Sequence, residues 1–296
     1  MKLSISDYVL DASHVAGLYY LYQKLTASAF REQIFYITSG NALGLIKYGA
    51  HLPWDDDLDL GFKTDHNMKS YLSFLEWALT MGYVVNFFLR DSNNVKSDSN
   101  EWYQEKKLYS LVLEHCTAQV QSTVCNSMTP SELEDVIATR PGDFFFANIT
   151  FNEKVWQNLL EKVGGKSYFW EGKYLVTPWI DFFPYYQDEN GRLQSRFQPY
   201  PKSQPSLSAT WKKNSVYSLV IYTPLDLIPQ TTKFYHGTLD FNCLYKKETL
   251  YCHLLDNDIL HLEYNEEELD EVQQLVDKYS SKVQQILTIY QTETKS

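Results

Sequence analysis

The feature that most constrains this chain is a short segment in which aspartate and leucine alternate. Residues 54–60 have the sequence Trp-Asp-Asp-Asp-Leu-Asp-Leu. In an extended segment Asp55, Asp57 and Asp59 lie on one face, because the side chains of a strand point alternately to opposite faces. The apolar residues that interleave with these acids and follow them are Leu58, Leu60 and Phe62. This pattern predicts a strand that packs against a core and presents one face of carboxylates.

Three carboxylates at this spacing repel one another unless a cation lies between them. Mg²⁺ (or Mn²⁺) suits such a site, because hard divalent cations prefer oxygen ligands and keep positions open for substrate phosphates. An EF-hand loop also spaces acids at alternate positions, but it requires glycine where Leu60 stands and glutamate where His66 stands. Asp55, Asp57 and Asp59 are therefore predicted metal ligands, and an acidic surface turn is the alternative.

A further acid, Asp181, lies within an otherwise apolar run, residues 179–183. An ionised carboxylate in such surroundings is costly unless it is paired or bound to a metal. We therefore predict that Asp181 shares a cation with Asp57 and Asp59. The alternative is a structural role, in which Asp181 accepts hydrogen bonds from the backbone at a strand end.

The residues that flank the acids are assigned structural roles. Asp56 faces away from the other acids if the segment is extended. Trp54 is expected to pack against the strand, and His51 is expected at the protein surface.

Hydrophobic periodicity and turn residues predict a mixture of helices and strands. The predicted helices span residues 14–30, 41–48, 66–81 and 266–290. The predicted strands span residues 34–38, 54–60, 83–89 and 174–183. Ser39 and Gly40 stand between the first strand and the second helix, where backbone N–H groups and the helix dipole favour an anion. This turn is a candidate phosphate site, and an ordinary serine cap beside a glycine turn is the alternative.

Charge and composition exclude several classes of partner. The chain has 26 Lys and Arg against 37 Asp and Glu, a formal charge of −11, which argues against an extended nucleic-acid interface. No apolar run reaches the ~18–20 residues of a membrane span, and the first residues lack the apolar core of a secretory signal. The four cysteines lack Cys-x-x-Cys spacing and are expected to be free thiols. A cytoplasmic protein is expected, or a protein of the secretory-pathway lumen if an N-terminal anchor has been removed.

Two motifs give the chain a resemblance to a known family. The first is Ser-Gly-Asn-Ala-Leu-Gly at residues 39–44, followed by His-Leu-Pro-Trp-Asp-Asp-Asp-Leu-Asp at residues 51–59. The second is Trp-Ile-Asp-Phe-Phe-Pro at residues 179–184. They resemble the LicD family, which includes bacterial phosphocholine transferases and the fukutin-related proteins. In that family a Gly-Gly-x-Leu-Leu-Gly turn precedes Phe-Ile-Pro-Trp-Asp-Asp-Asp-Ile-Asp, and an Ile-Asp-Ile-Phe-Pro block follows later.

The resemblance implies a fold. The order of a strand, a Ser-Gly turn, a helix, an acidic strand and a later strand with one more acid is that of the nucleotidyltransferase fold. The expected class is α+β, with a nucleotidyltransferase (polymerase-β-like) core in which helices flank a mixed sheet, and with family-specific insertions. A single domain over residues 1–296 is expected, with core motifs at 34–62 and 174–184 and a closing helix at 266–290.

The resemblance also implies a reaction. In it, a phospho-alcohol such as phosphocholine or an alditol phosphate moves from a CDP-activated donor to a hydroxyl of a glycan or similar acceptor. Asp57, Asp59 and Asp181 would be the catalytic residues: the first two would hold Mg²⁺ on the donor pyrophosphate, and Asp181 would help to deprotonate the acceptor. Asp55 would be a ligand or a partner of a ligand.

The donor-binding residues also follow from the resemblance. Ser39 and the Gly40 amide would receive a donor phosphate, and Lys47 would neutralise charge there as a point cation. The sequence departs from the family pattern at several positions. Ser39 stands where the family has its first glycine, Lys47 where arginine is usual, and Gly49-Ala50 where the family has Lys-Gly. The C-terminal block of the family, a glycine followed by a proline-containing segment, is only echoed at residues 235–237.

Two other functions would use the same residues. A nucleotidyltransferase acting on a small molecule or protein needs the same acids, but it would release pyrophosphate rather than CMP. A non-catalytic binding domain of the same fold would be indicated by loss of an acid, and all the expected acids are present.

Overall fold

The structure is a computed structural model that describes residues 9–38, 41, 50–90, 106–114, 126–140, 143–170, 174–187, 193–195, 220–221 and 266–292. Over these residues it contains five helices and a mixed sheet, so the predicted α+β class is confirmed. No helix in this part of the chain is long and apolar enough to cross a membrane. The nucleotidyltransferase core and the single-domain organisation stay predictions.

Helices and strands are interspersed along the described chain. The helices are α1 (Ala12–Thr26), α2 (Lys69–Thr80), α3 (Pro130–Thr139), α4 (Glu153–Val163) and α5 (Glu266–Thr292). The first six strands are β1 (Ile34–Thr38), β2 (Asp57–Lys63), β3 (Val84–Arg90), β4 (Lys106–Leu111), β5 (Asn126–Met128) and β6 (Phe144–Thr150). The later strands are β7 (Phe169–Trp170), β8 (Tyr174–Leu175), β9 (Trp179–Gln187), β10 (Leu193–Ser195) and β11 (Val220–Ile221).

Nine of these strands form one sheet in the order β11-β1-β2-β9-β6-β3-β4-β5, with β10 paired to β9. The remaining two, β7 and β8, form a separate antiparallel pair. Strand β3 is antiparallel to both β4 and β6, whereas β4 and β5 are parallel, so the large sheet is mixed. In this order the acidic strand β2 has a neighbour on each side.

The chain divides into two compact units, the first made of residues 1–60, 153–180 and 210–296. In this unit α1 contacts α4 and α5. Helix α1 begins where the Asp11 carboxylate accepts a hydrogen bond from the Ser13 N–H at 2.9 Å, which satisfies a backbone donor of the first turn. Helix α5 presents a buried stripe at three- and four-residue steps: Val276, Tyr279, Val283, Leu287 and Tyr290. The closing helix predicted over residues 266–290 is therefore confirmed, with two further residues at its end.

The second unit consists of residues 61–152 and 181–209. Aromatic side chains form much of its interior, and the rings of Phe62 and Phe74 stack with their centroids 4.9 Å apart. At its centre the buried Tyr71 hydroxyl donates a hydrogen bond to the Phe182 carbonyl at 2.6 Å and accepts one from the Ala147 N–H at 3.0 Å. Through these two bonds one side chain connects α2 with β9 and β6.

Side-chain hydrogen bonds explain where two helices differ from their predicted bounds. Helix α1 ends at Thr26 rather than at residue 30, because the hydroxyls of Thr26 and Ser28 donate to the Tyr22 and Leu25 carbonyls at 2.9 and 2.6 Å. Local bonds of this kind satisfy the last carbonyls of a helix.

Helix α2 begins at Lys69 rather than at residue 66. The Asp65 carboxylate accepts hydrogen bonds from the N–H groups of Asn67, Lys69 and Ser70, at 2.8 to 3.1 Å. These bonds satisfy first-turn donors from outside the helix, so the residues around Asp65 form a turn instead of an extra helical turn.

The strand predicted over residues 174–183 is divided into β8 and β9. The interruption includes Pro178, which has no N–H to give to a sheet. At the same place the Val176 carbonyl accepts a hydrogen bond from the Trp156 indole at 3.2 Å instead of from a neighbouring strand. The other predicted strands agree more closely: β1 spans residues 34–38 as predicted, and β3 is shifted by one residue.

Replacing Tyr71 with phenylalanine tests the link between α2, β6 and β9. The variant should lose about 1–3 kcal/mol of unfolding free energy, because the Phe182 carbonyl and the Ala147 N–H lose their hydroxyl partner in a buried place. Urea unfolding measures this loss. The matched control is Tyr168→Phe, whose hydroxyl bonds at an exposed site and which should change stability by less than ~0.5 kcal/mol. Equal effects of the two substitutions would contradict the role given to Tyr71.

Candidate metal centre

The acidic segment begins in a turn and continues as strand β2. The Asp55 N–H donates to the Leu52 carbonyl at 3.1 Å and closes a turn that contains Pro53. Strand β2 then begins at Asp57. The prediction that Asp55 lies on the strand with Asp57 and Asp59 is therefore wrong, because the proline turn reaches as far as Asp55.

Strand β2 is covered on both faces. Its apolar residues Leu58, Leu60 and Phe62 are buried as predicted, but Asp59 between them is only 9% exposed. All residues from 58 to 62 are buried, so the carboxylate face does not open freely to water. The acids therefore occupy a site where charge is costly.

The carboxylates of the acidic segment lie close enough together to hold a metal ion. Side-chain oxygens of Asp55, Asp56 and Asp57 all lie within 4.8 Å of one another. A carboxylate oxygen of Asp59 lies within the same distance of one of Asp57. That Asp181 shares a cation with Asp57 and Asp59 stays a prediction. The donor set consists of carboxylate oxygens alone, which fits Mg²⁺ or Mn²⁺ and does not fit a soft metal.

Asp56 and Asp181 differ in exposure. Asp56 is exposed, and although its carboxylate groups with those of Asp55 and Asp57, solvent reaches it. Asp181, the third residue of β9, is buried at 8% exposure, as expected for an acid within an apolar strand.

Burial raises the pKa of the first acids well above the ordinary range of aspartate. For Asp55 the largest cause is desolvation, followed by repulsion from Asp56. For Asp57 desolvation again comes first, and repulsion from both Asp55 and Asp56 adds to it. A carboxyl whose pKa is raised in this way binds a proton readily, and a divalent cation can take the place of that proton.

A buried amide side chain organises three of the acids. Asn41, which is 2% exposed, donates from Nδ2 to Asp55 Oδ2 at 2.7 Å and to the Asp57 carbonyl at 3.0 Å. Its Oδ1 accepts a hydrogen bond from the Asp59 N–H. Sequence reasoning missed this residue, and the local signal is a polar amide directly after Ser39 and Gly40 in the sequence.

Two buried histidines hold the backbone of the acidic turn. The Nε2 atoms of His14 and His51 lie 2.9 Å from the carbonyl oxygens of Asp56 and Asp55 respectively. Burial lowers the pKa of both imidazoles, that of His51 to about 4. Each ring is therefore neutral near pH 7 and donates from Nε2–H, since a carbonyl only accepts.

The prediction that His51 lies at the surface is wrong. It is 6% exposed, and its ring meets that of Tyr19 edge-on, with the centroids 5.8 Å apart. The backbone carbonyl of Asp55 gives the imidazole a buried partner that the sequence does not reveal. Trp54, in contrast, packs in an apolar cluster with Ala50, Leu52 and Val276, all of which lie outside β2.

The predicted phosphate-binding residues Ser39, Gly40 and Lys47 lie outside the described residues, and so do all four cysteines. Their roles stay predictions.

The pKa values of Asp55 and Asp57 predict how the stability of the metal-free protein depends on pH. Both are higher than the ~3.9 of an unfolded aspartate, so the folded chain binds more protons than the unfolded chain. The contribution of these two acids to the unfolding free energy should be most favourable below about pH 4 and should decline as the pH rises to about 8. Urea unfolding in EDTA across this range measures the slope.

The substitution Asp57→Asn isolates this contribution. The variant should show a shallower slope than the wild type, and its stability without metal should equal or exceed that of the wild type near pH 8, because one repelling charge is gone. Glu134→Gln removes an exposed acid of α3 and serves as the control. A slope in Asp57→Asn as steep as in the wild type would show that Asp57 is not a costly charge.

No protein-family model, no curated protein and no solved structure matches this chain. The resemblance to the LicD family therefore depends on the two motifs and on the acids that they contain.

Proposed function

We propose that this chain is a metal-dependent phosphotransferase that moves a phospho-alcohol from a CDP-activated donor to a hydroxyl of a glycan or similar acceptor. The observation that supports this function is the closeness of the carboxylates at the start of β2, where oxygens of Asp55, Asp56 and Asp57 lie within 4.8 Å of one another and the buried Asp59 follows on the strand. These acids belong to the motif that resembles the LicD signature. The raised pKa values of Asp55 and Asp57 favour a cation, and the motif favours a phosphate-bearing substrate for that cation.

The proposed metal ligands are Asp57, Asp59 and Asp181, with Asp55 as a further ligand. Their carboxylate oxygens are the ligands that Mg²⁺ and Mn²⁺ prefer. When bound, the metal would neutralise charge that develops on the donor pyrophosphate. Asp57 lies close to the carboxylates of Asp55, Asp56 and Asp59, so its loss should affect metal binding most.

The proposed reaction is an in-line displacement at phosphorus. The acceptor hydroxyl oxygen attacks the β-phosphorus of the CDP-alcohol and forms a new P–O bond. The bond from the β-phosphorus to the bridging oxygen breaks, and CMP leaves with that oxygen. Asp181 would accept the proton of the hydroxyl. Ser39, the Gly40 amide and Lys47 would bind the donor phosphates, a role that comes from the resemblance.

The nucleotide product distinguishes this function from its alternatives. Incubation with Mg²⁺, a panel of CDP-alcohols and a hydroxyl-bearing glycan should release CMP, and EDTA should abolish the release. Pyrophosphate released from a nucleoside triphosphate would instead indicate a nucleotidyltransferase. Binding of Mg²⁺ and nucleotide without either product would indicate a non-catalytic domain.

Removing one metal-binding charge should abolish transfer without unfolding the protein. We expect Asp57→Asn and Asp59→Asn each to lower turnover by at least ~10²-fold, because a neutral amide lacks the negative charge that would neutralise the bound cation. CMP release in Mg²⁺ measures turnover, and the unfolding curve verifies the fold.

Asp135→Asn is the matched control for these two variants. It makes the same substitution at an exposed acid of α3, which is given no role in binding metal. We expect turnover within ~10-fold of the wild type. Near-full Mg²⁺-dependent activity of Asp57→Asn or Asp59→Asn would show that the metal site is wrongly assigned.

A further inference from the structure

The side-chain amide of Asn41 forms hydrogen bonds with three residues of the acidic segment. It bonds to a carboxylate oxygen of Asp55, to the backbone carbonyl of Asp57 and to the backbone N–H of Asp59. These partners lie 14, 16 and 18 residues along the chain. One amide group thus fixes the acidic turn and the start of β2 relative to each other.

We propose that Asn41 is a positioning residue that sets the affinity of the acidic site for its divalent cation. This inference depends on the proposed function, because it assumes that Asp55, Asp57 and Asp59 bind a metal. In this role Asn41 acts through these residues. Removing a residue that orients a metal ligand typically lowers the affinity for the metal by about 10- to 100-fold.

An amide suits this position better than any charged side chain. Its N–H₂ donates to Asp55 and so orients that carboxylate, and its carbonyl accepts from Asp59, so both ends of the group are used. A lysine would neutralise the acids and compete with the cation. An aspartate would keep the acceptor, but it would lose both donors and place a further negative charge beside Asp55.

Two substitutions should therefore weaken metal binding to different extents. Asn41→Ala removes the bonds that orient Asp55, and it should weaken Mn²⁺ binding by about 10-fold or more. Asn41→Gln keeps an amide that can donate and accept but moves it by one methylene, so its loss of Mn²⁺ affinity should be smaller than that of Asn41→Ala. A purely structural asparagine would lower stability in both variants and leave the affinity for Mn²⁺ unchanged.

The matched control is Asn86→Ala. Asn86 is also a partly buried amide that uses both ends, since its Nδ2 donates to Asn148 Oδ1 at 3.2 Å and its Oδ1 accepts from the Ser110 hydroxyl at 2.8 Å. Its loss should lower stability without changing the affinity for Mn²⁺.

The experiment is a titration of the full chain with Mn²⁺, followed by calorimetry and by thermal unfolding with and without the metal. Weakened binding in Asn41→Ala and a smaller loss in Asn41→Gln would support the proposal. If Asn41→Ala does not fold, the Mn²⁺ affinity of Asn41→Gln decides. Wild-type affinity and response in the variants, with metal bound by the wild type, would overturn the role of Asn41 alone. No Mn²⁺ binding by the wild type would overturn the proposed function together with it.

Discussion

The cost of placing like charges in a buried site is the constraint on which the candidate site depends. At the start of β2, desolvation raises the pKa of Asp55 and Asp57, and Asp56 adds repulsion to both. The described residues that shift these two pKa values include no lysine or arginine. The described surroundings thus leave the negative charge of these two acids largely unbalanced, which is the electrostatic condition that favours a divalent cation.

The side chains that hold the acidic segment are neutral. Asn41 carries no charge, and desolvation keeps the imidazoles of His14 and His51 unprotonated. The two histidines bond to backbone carbonyls rather than to carboxylates, so they fix the course of the chain without lowering its negative potential. The geometry of the acids and their charge are therefore set by different residues. A neutral substitution of Asn41, His14 or His51 would therefore change the geometry of the acids without adding a positively charged side chain.

The sequence predicts those parts of the fold that depend on local pattern. The β-branched and aromatic run of β1 and the apolar stripe of α5 are properties of neighbouring residues, and both elements were confirmed. The start of β2 was placed too early, because alternation continues through Asp55 while the proline turn holds that residue outside the strand. The contacts of Asn41 and His14 span 14 to 42 residues, and no periodicity records a hydrogen bond of that range.

The same long-range contacts bear on the choice between an enzyme and a non-catalytic domain. Buried acids that repel one another lower the stability of a metal-free chain, and replacement of one by a neutral residue of equal size would relieve the repulsion. A binding domain with no need for a cation would gain from such a replacement. This chain retains every acid of the motif and surrounds Asp55 with neutral donors that orient its carboxylate and fix its backbone. Buried acids that lower the stability of the fold, and whose carboxylates are held in one orientation, are characteristic of functional sites. The cost of these charges is therefore an argument for the metal-dependent reaction that we propose.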